Sequence, residues 1–219
     1  MIGELKELFK DTELVEKIKR KLPYMFFLAE LEMSKGGRVG MEVGTIREQI
    51  IVALLIHKFG RDNIGIPNIN SADFDLQLFG KPLSIKTVSK RIPRKIQRLS
   101  GSGIKLIWTV DWEKVEKFVK NYSPNSELIL IEVVWGETGG FYYIPLEVQH
   151  EIFNDLKGEY LYKHRKGTNP RGVEISNKAL KKLIDHKETL CIQIRWEKPE
   201  VEGLIYKPYE RWIELWEKD

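Results

Sequence analysis

A helical segment at 45–59 constrains the fold most strongly. Its sequence, "TIREQIIVALLIHKF", puts apolar residues on nearly every side of a helix rather than along one stripe. Such a helix is expected to be buried by the rest of the chain. Thr45 and Glu48 form a T-x-x-E capping box that predicts the start of the helix, with Glu48 in its first turn. Gly60 predicts its end.

A β-hairpin is predicted after this helix, over 71–87. Apolar and polar residues alternate on both strands, and "GKP" at 80–82 supplies the turn, so one face is buried and the other is polar. A metal site and an ion-paired outer face are both compatible with the polar face. The polar face contains two acids, a serine and a lysine: Asp73, Asp75, Ser84 and Lys86.

The rest of the chain mixes helical and strand patterns without a linker or an internal repeat. Helices are predicted at 3–20, 24–33, 111–120, 147–156, 176–186 and in "YERWIELW", and strands in "IKLIWTV", "ELILIEVVW", "GFYYIPL" and "TLCIQIRW". A chain of 219 residues with 42% hydrophobic residues is long enough for one large core and short for two. The sequence therefore predicts one mixed α/β domain over residues 1–219.

Positive charge is concentrated in two windows, although the net charge is only +4. The segments 76–110 and 160–173 contain no Asp or Glu. This distribution is typical of a surface that contacts phosphates. The alternative is a pair of solvated faces whose acidic partners lie elsewhere in the fold. The candidate DNA contacts in these windows are Lys90, Arg91, Arg94, Lys163, Arg165, Lys166 and Arg171.

The sequence favours a cytoplasmic protein. Its single cysteine, Cys191, cannot form a disulfide within the chain, which suits a reducing compartment. The N-terminal segment has the charged, amphipathic pattern of a helix rather than that of a signal peptide. No apolar run approaches the roughly 20 residues that a membrane span needs.

The polar face of the hairpin has the groups that a metal-dependent nuclease requires. Asp75 is a candidate ligand for a divalent cation, and the backbone carbonyl of Ile85 can add a neutral oxygen. Glu48 can add a second carboxylate from the helix, and the Lys86 ammonium can stabilise negative charge on a reacting phosphate. Two alternatives stay open: Asp73 is the ligand instead of Asp75, or Glu48 serves only the capping box.

A Glu on an early helix, an Asp that opens a hairpin and a Lys two places after a position that is usually acidic resemble the PD-(D/E)XK nucleases. Within them, "GMEVGTIREQ…FDLQLFGKPLSIK" at 40–86 is similar to the ThaI-type restriction endonucleases, which cut short palindromes. The resemblance implies that Glu48, Asp75 and Lys86 are catalytic, in a mixed central sheet flanked by helices. Ser84 departs from the pattern, since an acid normally stands there.

The resemblance further implies a type II restriction endonuclease that uses Mg²⁺ and acts as a homodimer on double-stranded DNA. The site would be a short, CG-rich palindrome such as CGCG, protected by a cognate DNA methyltransferase. Met41, on a glycine-rich loop, would enter the duplex from the minor groove, unless it packs beneath that loop. Two other functions are considered: a structure-directed nuclease such as a Holliday-junction resolvase, and a DNA-binding regulator without catalysis.

Overall fold

The computed structural model describes residues 3–35, 38–39, 42–67, 74–93, 102–108, 122–162 and 172–200. The helices in these ranges are α1 (Gly3–Lys10), α2 (Thr12–Met33), α3 (Val43–Phe59), α4 (Leu146–Leu156) and α5 (Asn177–Asp185). The strands are β1 (Ser34–Lys35), β2 (Arg38–Val39), β3 (Ile64–Gly65), β4 (Leu76–Leu78), β5 (Lys81–Val88), β6 (Ser102–Trp108), β7 (Glu127–Glu132), β8 (Thr138–Ile144), β9 (Gly172–Ser176) and β10 (Leu190–Arg195).

Six of these strands form one mixed sheet in the order β10-β8-β7-β5-β4-β3. The central strands β5 and β7 are parallel, with Ile85 opposite Ile129 and Lys86 opposite Leu130. The other neighbours in the sheet are antiparallel. Strands β6 and β9 form a separate antiparallel pair, as do β1 and β2. The predicted mixed central sheet is confirmed.

Helices cover both faces of the sheet, because its central strands are apolar on both sides. On β7, Ile129 and Ile131 pack into one cluster with residues of α1, α2 and α3. Leu128 and Leu130 point the other way, into a second cluster with residues of α4 and α5. A strand buried on both faces reads as a continuous apolar run, which is why "LILI" does not alternate. The predicted α/β class, a sheet flanked by helices, is confirmed.

The N-terminal helix predicted at 3–20 is in fact divided at Asp11. The Asp11 carboxylate accepts the Leu14 N–H at 3.0 Å, so it satisfies one of the unpaired donors at the start of α2. Helix α2 then runs without interruption through Pro23, which is buried, to Met33. The two helices predicted at 3–20 and 24–33 are therefore α1 and one longer α2.

Helix α3 begins at Val43, two residues before the predicted start. Its N-cap is Glu42, whose side chain makes no cap hydrogen bond, and Thr45 lies inside the helix, so the predicted capping box of Thr45 is wrong. Glu48 consequently lies in the second turn and not in the first. The earlier start follows from burial at every fourth residue, since the buried residues of α3 are Val43, Arg47, Ile51 and Leu55.

Helix α3 ends where the sequence predicts, but it is less buried than the sequence predicts. Gly60 stops the helix with a φ of +86°, and its N–H donates to the Ile56 carbonyl at 2.9 Å. The expectation of burial on nearly every side is wrong, because Ala53 is exposed and Ile50 and Leu54 are half-buried. The helix is covered by the sheet and by α2 on part of its circumference.

Two predicted helices, at 111–120 and in "YERWIELW", lie outside the described residues. Among the residues that the structure does describe, no helix is both long enough and apolar enough to cross a membrane.

Candidate active site

Asp75 lies where the ladder between β4 and β5 ends. Its backbone N–H donates to the Leu83 carbonyl at 3.1 Å, and its side-chain Oδ2 accepts the Ile85 N–H at 2.6 Å. The N–H and C=O of one strand residue face the same neighbouring strand. The Ile85 carbonyl therefore faces the edge of β5 that carries Asp75. The structure brings these two predicted oxygen ligands to the same edge.

Lys86 reaches the same carboxylate from the next position of β5. Its Nζ lies 3.0 Å from Oδ2 of Asp75, and the two side chains are 20% and 28% exposed. A partly buried ion pair is screened by salt less than a surface pair. The partial exposure also leaves the pair open to a substrate. Asp75 and Lys86 thus form a direct ion pair, the contact that the sequence left open as an alternative to a metal site.

Glu48 enters this group from α3, which packs against β5. Burial raises the pKa of Glu48 to about 7, the Lys86 ammonium opposes that shift, and the Asp75 carboxylate adds to it. Both partners act on Glu48 only because the three charges are close together. The helix and the hairpin therefore bring Glu48, Asp75 and Lys86 into one cluster, although they are up to 38 residues apart in the chain.

Ser84 occupies the place of the usual acid and is turned into the protein. It is 9% exposed, and its hydroxyl lies 3.0 Å from that of Ser126. A carboxylate at this depth would need a charged partner or several donors, and the hydroxyl of Ser126 is the partner shown. Ser84 therefore belongs to the packing between β5 and the segment before β7.

The oxygen set of the cluster consists of two carboxylates and a backbone carbonyl. Within the described ranges, no group of three or more His, Cys, Asp or Glu side chains could hold a metal ion. Asp73 lies outside those ranges, so the choice between Asp73 and Asp75 stays a prediction. The set nonetheless has the hard oxygen donors that Mg²⁺ prefers. Burial is the main cause of the raised pKa of Glu48, and a cation bound beside it would favour the ionised carboxylate.

A buried arginine next to Glu48 was not predicted. Arg47 is 2% exposed; its guanidinium donates to Oε1 of Glu30 and, at 2.6 Å, to the hydroxyl of Ser89. Burial lowers the pKa of Arg47, and the charge of Glu30 opposes the shift. A sequence signal did exist, because Arg47 is a charged residue at a position where the four-residue spacing of α3 expects an apolar one.

Of the predicted DNA contacts, two lie in described segments. Lys90 is exposed, just beyond β5. Arg91 pairs with the Glu137 carboxylate and donates to the Thr138 carbonyl at 2.9 Å. The others lie outside the described residues and stay predictions: Met41, Arg94, Lys163, Arg165, Lys166 and Arg171.

A mixed sheet between helices, with a carboxylate-lysine pair at a strand edge and a glutamate from a helix, has the arrangement expected of a restriction endonuclease. The comparisons with known proteins agree. The model of the family "Restriction endonuclease ThaI" matches residues 8–218, and the chain belongs to this family. No curated protein matches the chain.

A solved structure described as "Restriction endonuclease in complex with substrate DNA" is similar over the full fold. It is 44% identical, has a TM-score of 0.85, and the match covers 99% of this chain and 100% of that chain. The protein is therefore a type II restriction enzyme, a site-specific deoxyribonuclease. This confirms the predicted family, fold and enzyme class, and it rules against the alternative of a DNA-binding regulator without catalysis.

Proposed function

We propose that this enzyme hydrolyses phosphodiester bonds at a short palindromic site in double-stranded DNA, with Glu48, Asp75 and Lys86 as the catalytic residues. One observation carries the proposal: a single oxygen of Asp75 accepts both the Ile85 N–H and the Lys86 ammonium. This arrangement fixes a carboxylate, a carbonyl and a cation at one edge of β5. Glu48 adds a carboxylate whose protonation depends on the same two charges.

We propose Mg²⁺ as the cofactor, held by Glu48, Asp75 and the carbonyl oxygen of Ile85. Mg²⁺ favours oxygen ligands, and it often binds through only one or two protein carboxylates together with substrate phosphates. Bound there, Mg²⁺ would polarise a phosphate oxygen and make water a stronger nucleophile. The protein prepares the metal site in two ways: two hydrogen bonds hold the Asp75 carboxylate in place, and burial partly removes water from Glu48.

The role of Lys86 follows from its charge and its partial exposure. Hydrolysis replaces one P–O ester bond with a P–O bond from water, and charge accumulates on the oxygens around phosphorus. The Lys86 ammonium, held by Asp75 and still accessible, can donate hydrogen bonds to those oxygens. A fixed ammonium needs no reorganisation when that charge develops, which is the source of its benefit.

DNA binding is proposed to use the two acid-free windows. Lys90 is exposed and suits a phosphate contact. Arg91 would first have to leave the Glu137 carboxylate before it could contact a phosphate. In the second window we propose that Arg171 contacts a guanine edge, because arginine binds the O6 and N7 of guanine bidentately. The remaining basic residues of the proposal are Arg94, Lys163, Arg165 and Lys166.

A palindromic target implies a homodimer. A two-fold symmetric site presents the same sequence to each protomer, so two copies can place one catalytic cluster on each strand. We propose a CG-rich site such as CGCG, and a cognate DNA methyltransferase that protects the host sequence. The cytoplasm is the proposed location, since the chain has a single cysteine, Cys191, which suits a reducing compartment.

Cleavage assays on plasmid and linear duplex DNA test this proposal. Wild-type protein with Mg²⁺ should give discrete fragments whose sequenced ends share one short palindrome, and EDTA should stop the reaction. Fragment ends without a common sequence would contradict the site-specific proposal. Undiminished cleavage in EDTA would contradict the proposal that the enzyme requires Mg²⁺. Methylation of cytosines in CGCG should protect the DNA if that is the target, and sedimentation of the protein should show a dimer.

A further inference from the structure

We propose that Arg47 is a positioning residue, which fixes the distance between Glu48 and the Asp75–Lys86 pair by joining α3 to the end of β5 and to α2. This inference rests on the proposed function, because it assigns a role to Arg47 through its neighbour Glu48. The argument comes from the contacts of the Arg47 side chain, each of which reaches a different part of the fold.

The first contact joins the two elements that carry the site. The guanidinium NH1 of Arg47 donates to the Ser89 hydroxyl at 2.6 Å. Ser89 directly follows β5, three residues after Lys86, and Arg47 directly precedes Glu48 in α3. A bond between Arg47 and Ser89 therefore restricts how far α3 can slide or rotate relative to β5. The catalytic cluster has its glutamate on one of these elements and its lysine on the other.

The second contact anchors Arg47 to a rigid support. Its NH2 donates to Oε1 of Glu30 in α2, and that same oxygen accepts the indole N–H of Trp135 at 2.7 Å. The Arg47 guanidinium also lies 5.4 Å from the ring centroid of Phe26. Trp135 packs edge-on against Trp196, and Trp196 stacks on Phe26. The support is thus a closed set of aromatic and charged groups.

Stabilisation of the fold alone does not explain why position 47 is an arginine. The neighbouring buried positions on the same face of α3 are Val43 and Ile51, which pack without hydrogen bonds. Burying a charged pair is often no more stabilising than a well-packed apolar pair. Arg47 even leaves its Nε buried without a partner among the described residues. Unlike an apolar side chain, the planar guanidinium donates hydrogen bonds in fixed directions, so it holds Ser89 and Glu30 at set angles to each other.

The experiment compares three variants that loosen the contacts with one control. Ser89→Ala removes one hydrogen bond from an exposed residue, Arg47→Lys keeps the charge but loses the fork, and Glu30→Gln keeps the shape of the anchor. The control is Lys58→Ala, because Lys58 ties the opposite end of α3 to Asp11 at 2.6 Å. The measurements are the cleavage rate of plasmid DNA against Mg²⁺ concentration, DNA binding without Mg²⁺, and the melting temperature.

Loss of positioning should raise the Mg²⁺ concentration for half-maximal cleavage, or lower the maximal rate, by about 10-fold or more in Arg47→Lys, since misplaced supporting groups have effects of this size. Ser89→Ala should show the same change to a smaller degree. DNA binding should stay within about twofold of wild type, since no DNA contact is altered. Lys58→Ala should lower the melting temperature and leave the Mg²⁺ dependence unchanged.

Two results would overturn the inference. One is wild-type Mg²⁺ dependence and maximal rate in both Arg47→Lys and Ser89→Ala. The other is a loss of activity that merely parallels the melting temperature and occurs equally in Lys58→Ala. Glu48→Gln separates this failure from that of the proposed function. If Glu48→Gln cleaves normally, the catalytic assignment fails; if it is inactive while Arg47→Lys and Ser89→Ala behave as wild type, only the positioning role fails.

Discussion

The Lys86 ammonium lies 3.0 Å from Oδ2 of Asp75, the same oxygen that accepts the Ile85 N–H at 2.6 Å. One carboxylate oxygen thus holds two consecutive residues of β5. The contact holds Lys86 against the edge of β5. The Ile85 N–H bonds to the Asp75 side chain there, instead of to a backbone carbonyl of β4. The proposed catalytic residues Asp75 and Lys86 consequently lie at the end of this ladder.

Asp75→Asn should abolish cleavage and leave the fold intact. The amide oxygen of asparagine can still accept the Ile85 N–H, while the negative charge that holds Lys86 and a cation is lost. We expect the cleavage rate to fall by at least about 10²-fold, as for the loss of other charge-stabilising groups, with the melting temperature little changed. Lys86→Ala should have a similar effect on the rate.

Asp155→Asn is the matched control for this change. Asp155 pairs with Lys182 on the surface between α4 and α5, so the variant removes an Asp–Lys pair of the same chemistry away from the site. It should cleave like wild type. An Asp75→Asn enzyme with full activity would refute the catalytic role of Asp75 and would favour Asp73.

The pH dependence of stability should report Glu48. Its pKa is 4.5 ordinarily and about 7 in the folded protein, so between these values the folded state binds the extra proton. Stability therefore falls as the pH rises from about 4.5 through about 7, because the unfolded carboxyl ionises freely and the buried one does not. The shift corresponds to a loss on the order of 3 kcal/mol at most.

Melting temperatures between pH 5 and pH 8 without metal measure this loss. The decrease with pH should be smaller in Glu48→Gln, which cannot ionise. Mg²⁺ should stabilise wild type more at pH 8 than at pH 5, because it binds the ionised carboxylate. Equal slopes in the two proteins would show that Glu48 does not titrate in this range.

Ser84 should tolerate removal of its hydroxyl better than gain of a carboxylate. Ser84→Ala loses one buried hydrogen bond to Ser126, with an expected cost of about 1–3 kcal/mol and no loss of cleavage at a permissive temperature. Ser84→Asp restores the usual acid in the sequence, yet it buries a charge that has only a hydroxyl shown beside it. We expect it to be less stable than Ser84→Ala and no more active.

Urea unfolding and cleavage rates of the two variants check this prediction. A Ser84→Asp enzyme that cleaves faster than wild type, or binds Mg²⁺ more tightly, would show that the position faces the metal site. Ser126→Ala serves as a control, since it removes the same hydrogen bond from the other partner.

Local patterns in the sequence predicted the helix and the hairpin that carry the site. They did not predict features that depend on contacts with residues distant in the sequence. Alternation of side chains is local, so the buried positions Leu76, Leu78 and Leu83 were predicted correctly, and all three are fully buried. The predicted turn was wrong, because Lys81 and Pro82 belong to β5 and pair with β4. The first strand is also shorter than predicted, since β4 begins at Leu76. The start of α3 was misplaced because Thr45 and Glu48 satisfy a local capping rule. The helix instead begins where Val43 can be buried.

The contacts of Ser84 and Arg47 could not be predicted, because their partners are distant in sequence. Ser84 was expected beside the carboxylates on the polar face, and its partner Ser126 is 42 residues away. Glu30 and Ser89 are 17 and 42 residues from Arg47. Alternation indicates which face a residue occupies, but it does not show that both faces of β5 are covered. Here Ser84 is buried beside Ser126, which precedes the parallel partner strand β7.

Met41→Ala should reduce cleavage of the target without affecting the metal site. Met41 lies outside the described residues, and its proposed role is to enter the duplex from the minor groove. Opening a base step costs a few kcal/mol of stacking, which an inserted thioether partly restores through apolar and sulfur–aromatic contacts. Pyrimidine–purine steps open most easily, and a CG-rich palindrome contains them.

A fluorescent base analogue at the central step of a cleavable duplex measures this opening directly. Wild type should increase its fluorescence, and Met41→Ala should increase it less and cleave more slowly, with an unchanged Mg²⁺ dependence. Met25→Ala is the matched control, since Met25 is an exposed methionine on α2. If Met41→Ala opens and cleaves the duplex as wild type does, the side chain packs beneath its loop and makes no contribution to DNA distortion.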